Sequence, residues 1–137
     1  MKLTLEKIRT ATELLMSFGH KTFPVKMSYA VVKNSAILKA EYDNIEKMRE
    51  EICKRYADTD NDGNPKIIED ENGRRYALSE DGLNAFAKEY NELLATETEV
   101  EGLHEVSLDV IEQCEMSGKY DSMTTGELAV LDFMFTE

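Results

Sequence analysis

Cations are scarce in the second part of this chain, and long apolar runs are missing from all of it. Residues 57–137 hold 5 Lys/Arg against 21 Asp/Glu, and the net charge of the 137 residues is −12. So acidic a chain has little positive charge with which to release phosphate counterions, which excludes broad nucleic-acid binding. No apolar run approaches the roughly 20 residues that a membrane helix needs. There are only two cysteines, Cys53 and Cys114, far apart and in no CxxC or Cys/His cluster. One long-range disulfide can join them, but two reduced thiols suit a cytosolic chain better. Neither a Gly-x-Gly-x-x-Gly nor a P-loop occurs, so no nucleotide cradle is indicated. Met1-Lys2-Leu3-Thr4-Leu5-Glu6-Lys7 runs directly into a charged amphipathic pattern rather than a signal peptide, and the expected location is the cytoplasm.

What is present suits one ordinary domain. The length allows a core without staples, and 42 % hydrophobic residues is close to the globular norm. With no internal repeats and no low-complexity linker, residues 1–137 read as a single domain. Thr4 can cap a first helix with Leu5, Ile8, Ala11, Thr12 and Leu15 on one face, stopped near Gly19. From about residue 25 to 57, Val31, Leu38, Ile45 and Ile52 recur every seven residues, flanked by Met27, Tyr42, Met48 and Tyr56. This predicts one long helix with a continuous apolar stripe. Asp43 with Lys47, Glu50 with Lys54, and Glu51 with Arg55 are favourable i,i+4 pairs on its wetter side.

After a break at Asp58-Thr59-Asp60-Asn61-Asp62-Gly63-Asn64-Pro65, two short extended segments flank Asn72-Gly73. That pair supplies the positive φ values of a tight hairpin turn. Ser79 or Asp81 starts a further helix with Leu83, Phe86, Ala87, Tyr90, Leu93 and Leu94 on one face. Val106, Leu108 and Val110 alternate as in a third short strand, although Ser107 can equally cap a helical turn through Ile111. Thr124 and Glu127 form a capping box before Leu128, Leu131 and Met134. The predicted fold class is α+β, mainly α: one long helix packed by shorter helices, with a small β-hairpin.

The sharpest motif is Asp58-x-Asp60-x-Asp62-Gly63-x5-Glu69, which fits a calcium loop with carboxylates at alternate positions and a closing bidentate glutamate. Against it, Pro65 removes an N–H that paired loops use, a strand and turn follow Glu69, and no second loop exists. The competing reading is an Asp/Asn/Gly-rich helix stop leading into a hairpin, and it is the preferred one. Glu46, Glu50 and Glu51, with Glu89 and Glu92, suggest acids converging from two helices on a divalent ion. However, Lys54 and Arg55 lie one turn from Glu50 and Glu51, as on a solvated face. His20 and His104 sit in no recognisable nucleophile pattern. No catalytic, cofactor-binding or metal-binding residue is assigned.

The order of features resembles a family of small proteins of unknown function from tailed phages and prophages of Gram-positive bacteria. The residues that carry the likeness are Ile45-Glu46-Lys47-Met48-Arg49-Glu50-Glu51-Ile52, Arg55-Tyr56-Ala57 and Asp60-Asn61-Asp62-Gly63-Asn64-Pro65-Lys66. Phe86-Ala87-Lys88-Glu89-Tyr90-Asn91-Glu92-Leu93-Leu94 and Leu128-Ala129-Val130-Leu131-Asp132-Phe133-Met134 add to it. The resemblance implies a phage-made protein inside a bacterial cell, and a hairpin rather than a calcium site at 58–69. It brings no catalytic residue with it. The expected function is that of a non-enzymatic accessory protein that binds other proteins, as a chaperone, adaptor or minor virion component. A homodimer is one way to cover the long stripe, and seven methionines would suit an interface. The alternative is an inhibitor of a host defence nuclease, anti-CRISPR-like, whose acidic half stands in for nucleic acid. A divalent-metal hydrolase is a third class.

Overall fold

The computed structural model describes all 137 residues. In chain order the elements are β1 (Lys2–Thr4), α1 (Leu5–Ser17), α2 (Val25–Tyr56), β2 (Ile67–Asp70), β3 (Gly73–Tyr76) and α3 (Glu80–Leu94). They continue with β4 (Glu97–Glu99), β5 (Val106–Ser107), α4 (Asp109–Ser117), α5 (Thr125–Val130) and β6 (Phe135–Thr136). The fold is α+β and mainly α. Three two-stranded ladders replace the one hairpin and third strand that the sequence suggested: β1 with β4 and β2 with β3 antiparallel, and β5 with β6 parallel. Strands of two or three residues are too short for alternation to reveal, and long-range pairing makes them.

Two compact units make up the chain. One comprises Met1–Tyr42 with Glu97–Glu137, and the other comprises Asp43–Thr96. Each holds 8 Lys/Arg against 14 Asp/Glu, so each carries −6. The contrast between the two halves of the sequence therefore does not survive folding, because the acidic second half is divided between the units.

In the first unit Thr4 caps α1, its hydroxyl accepting from the Lys7 N–H at 3.1 Å. The expected face of α1, Leu5 through Leu15, is buried. Phe18 and Phe23 meet edge-to-face across the following turn, 5.4 Å between centroids. On α2, Met27, Ala30, Asn34 and Leu38 point inward at helical spacing. Asn34, fully buried, behaves as a short piece of strand: its amide donates to the His104 carbonyl at 2.9 Å and its oxygen accepts from the His104 N–H at 2.8 Å. Ser107 does not decide between strand and helix. It ends β5, and its hydroxyl accepts from the Asp109 N–H at 3.3 Å where α4 begins. The Thr124–Glu127 capping box is complete in both directions.

In the second unit Ile45 and Ile52 of α2 are buried, and Val31 in the first unit is half-buried. The heptad stripe is thus covered within one copy of the chain, except for Met48, which is 48 % exposed. Turn chemistry at the hairpin differs from the expectation. Asp70 pairs with Gly73, so the connecting residues are Glu71 and Asn72, and only Gly73 takes a positive φ, 103°. The Asp70 carboxylate accepts from the Asn72 N–H at 2.9 Å and closes the turn. On α3 the apolar face is only partly covered: Leu94 is buried, while Leu83 is 52 % exposed and Ala87 is open to solvent.

Candidate functional site

The second unit holds a groove, and local backbone chemistry shapes it. Where α2 ends, three peptide groups close a ring. The Asp58 N–H donates to the Ala77 carbonyl at 2.8 Å, the Ala77 N–H to Lys66 at 2.9 Å, and the Lys66 N–H to Asp58 at 2.7 Å. This ring fixes the base of the β2–β3 hairpin against the end of α2. α3 then starts at Ser79, whose hydroxyl accepts from the Gly82 N–H at 3.2 Å. Gly82 lies against the last carbonyl of α2. A Cβ there would be 2.7 Å from the Tyr56 oxygen, so only glycine allows the approach.

Between α2, the hairpin and α3 lies an open groove of about 680 Å³. Cys53, Ile67, Leu78 and Phe86 line it with apolar surface, and Arg49, Arg74 and Arg75 bring three guanidinium groups. Tyr76 and Glu50 complete the lining, the tyrosine hydroxyl donating to the Glu50 carboxylate at 3.4 Å. Arg49 is paired with Glu46 at 3.3 Å and Arg75 with Asp70 at 2.6 Å. Arg74 makes no ion pair. These pairs are solvent-exposed and therefore cheap to exchange. Burial pushes the Cys53 thiol up, against the lowering effect of Arg49 and with that of Glu50. At neutral pH Cys53 is therefore an apolar thiol rather than an activated nucleophile.

The structure distributes the other candidate residues differently from their motifs. In the aspartate loop, the Asp60 carboxylate accepts from the N–H groups of Asp62 (2.9 Å) and Asn64 (3.0 Å), and Gly63 takes φ 81°. Thr59 bridges to Pro65, and Glu69 is carried off along β2, opposite Arg74. The loop is folded as a turn built on Asp60. Of the helical acids, Glu51, Glu89 and Glu92 do share one cleft of about 540 Å³, together with Arg55. Arg55 bonds to Glu89 rather than to Glu51, and Lys54 serves both Glu50 (3.8 Å) and Glu51 (3.6 Å). The Tyr56 hydroxyl and the Arg55 guanidinium beside Glu89 hold its carboxyl below the usual range. No three His, Cys, Asp or Glu side chains are grouped so as to hold a metal ion. Both cysteines are free.

A second surface feature escaped the sequence reading. On α2, Val25, Tyr29, Val32 and Ala36 are exposed on the side of the helix opposite Asn34. The only signal for it was a local one: residues 25–40 contain Lys26, Lys33 and Lys39 and no acid. The groove was equally hidden, since Arg49 and the Arg74-Arg75 pair come together only when the hairpin folds back. No family model, no curated protein and no solved structure matches this chain. No helix is long and apolar enough to cross a membrane.

Proposed function

We propose that this is a non-enzymatic phage accessory protein that works by binding other proteins, in virion assembly, as a chaperone, adaptor or minor component. The observation that carries the reading is the groove of the second unit. Three guanidinium groups around an apolar lining, in a chain with 28 acids and 16 bases, is an arrangement that takes a carboxylate-bearing apolar segment of a partner. Arg74, unpaired, is the group most ready to receive such a carboxylate. The phage setting comes from the family resemblance alone. The test is a tagged pull-down from phage-infected cells with the wild-type protein and an Arg74→Glu/Arg75→Glu variant. Portal, capsid or tail proteins recovered with the wild type and lost with the variant support the reading. Absence from assembly intermediates and virions would sink it.

A second reading rests on Glu97, Glu101 and Glu105, which are exposed along β4 and the segment after it, while Glu99 between them pairs with the Met1 ammonium. Carboxylates in such a row can occupy phosphate positions in a basic groove, as an inhibitor of a host defence nuclease would require. Recovery of a host nuclease, with binding that weakens in salt and when these glutamates are neutralised, would favour it over assembly.

A further inference from the structure

We infer that the solvent face of α2 between Val25 and Ala40 is a docking surface for an acidic amphipathic helix of another protein. Three turns of this helix show apolar side chains to water on the side away from the core. Val25 is 84 % exposed, Val32 66 % and Tyr29 53 %, with Ala36 open beside them. Their spacing of four, three and four residues is that of a coiled-coil seam, in which alternate steps of three and four keep one stripe facing a partner helix. The two valines have no local reason to be there, because β-branched residues are poor helix formers and gain nothing from exposure. Tyr29 is already held in place: its ring meets His104 edge-on at 5.1 Å, and the Lys33 ammonium lies 5.6 Å from its centroid. An anchor fixed before binding loses little conformational freedom when the partner arrives.

Charge selects the occupant. Lys26 and Lys33 flank the stripe on one side, Ser28 and Ser35 lie on the other, and Lys39 follows in the seam. Over these sixteen residues there is no Asp or Glu, although acids outnumber bases in the whole chain. A second copy is disfavoured, because a two-fold interface brings the patch against itself and every charge on it is positive. An anionic membrane is disfavoured by the −12 of the molecule behind the patch. A helix with an apolar seam and glutamates beside it satisfies both the stripe and the lysines. The inference rests on the protein-binding reading but on a different surface from the groove.

The test is a fluorescence-anisotropy titration of the full chain against two labelled synthetic peptides of three heptads. Both carry leucine at the seam positions, one with glutamate and the other with lysine at the flanking positions. The glutamate peptide is expected to bind, and to bind at least about tenfold more weakly to Val32→Glu and to a Lys26→Glu/Lys33→Glu variant, since both act at the contact itself. The lysine peptide is expected not to bind. Val32→Glu sits on an exposed helix face where glutamate is the better helix former, so it folds, and circular dichroism checks this. Failure of the glutamate peptide to bind, equal binding of both peptides, or binding unchanged by Val32→Glu would overturn the inference. So would a dimer in light scattering that Val32→Glu dissolves, or binding to phosphatidylglycerol vesicles by this face in place of the peptide. Failure of the glutamate peptide to bind, with partner recovery in the pull-down still dependent on Arg74 and Arg75, would remove this face while leaving the protein-binding reading intact.

Discussion

Gly82 and Asn34 show how much single residues decide. Glycine in the first turn of α3 costs up to about 1 kcal/mol relative to alanine in helix propensity. Propensity alone therefore says that Gly82→Ala should stabilise the protein. The Tyr56 carbonyl, 2.7 Å from where the new methyl would sit, says the opposite, because the obstacle is backbone and cannot rotate away. We expect the contact to win and Gly82→Ala to lose about 1–3 kcal/mol, the usual cost of overpacking. A lower midpoint in urea unfolding checks the sign. Asn34→Ala deletes both hydrogen bonds to the His104 peptide from a fully buried position and strands two backbone groups. Its expected cost is about 2–4 kcal/mol by the same measurement. Neither effect was legible in the sequence. Asn34 stands in an ordinary helical stretch, and its partner is 70 positions away.

Helices with their own caps and stripes were legible at the scale of elements. Thr4 and the Thr124–Glu127 box cap where their local pattern placed them, and of the two candidates Ser79 and Asp81 it is Ser79 that caps α3. What local pattern could not supply was pairing. β1, β4 and β6 are ladders of two or three residues made by distant partners, and the hairpin turn uses Glu71-Asn72 because Asp70 rather than Asn72 organises it. The aspartate loop matched a motif whose residue types are also those of a turn. The motif fixes residue types only; in the fold one oxygen of Asp60, Oδ1, accepts from the N–H groups of Asp62 and Asn64, and Glu69 runs off along β2 opposite Arg74. Millimolar calcium is therefore expected to leave the melting temperature unchanged, since only a ligand that binds the folded state raises it. A rise that Asp60→Ala and Glu69→Gln both abolish would contradict this. The α5 cap makes a pH prediction. The Thr124 N–H, and then Lys21, hold the Glu127 carboxyl below its usual range. A carboxylate with a lowered folded-state pKa contributes stability that is present above its ordinary value and lost as pH falls through the lowered one. Glu127→Gln should accordingly be less stable at pH 7, with the difference shrinking on acidification below about pH 4. Denaturation midpoints across that range measure it.

The whole molecule must hold its charge together. In sequence, residues 1–56 hold 11 Lys/Arg against 7 Asp/Glu and residues 57–137 hold 5 against 21, a basic head and an acidic tail. Folding divides the acids instead, leaving −6 on each of two units, so that each is compacted against its own repulsion. Two effects then compete when salt is added. Screening weakens the ion pairs, which stabilise, and it weakens the net repulsion, which destabilises. The pairs are exposed: Arg55 with Glu89, Arg75 with Asp70, and Lys54 with Glu50 and Glu51 all have at least one side chain more than a third open to solvent. Such exposed pairs contribute little to stability. They also act over a few ångströms, whereas the repulsion sums over a unit and reaches as far as the Debye length allows, roughly 30 Å at 0.01 M and 10 Å at 0.1 M. Raising salt across that range removes the long-range term first and leaves close pairs largely in place. The urea midpoint is therefore expected to rise between 0.01 and 0.1 M sodium chloride and then to flatten. A midpoint that falls over the same interval would mean that the ion pairs, and not the repulsion, set the electrostatic balance of the fold.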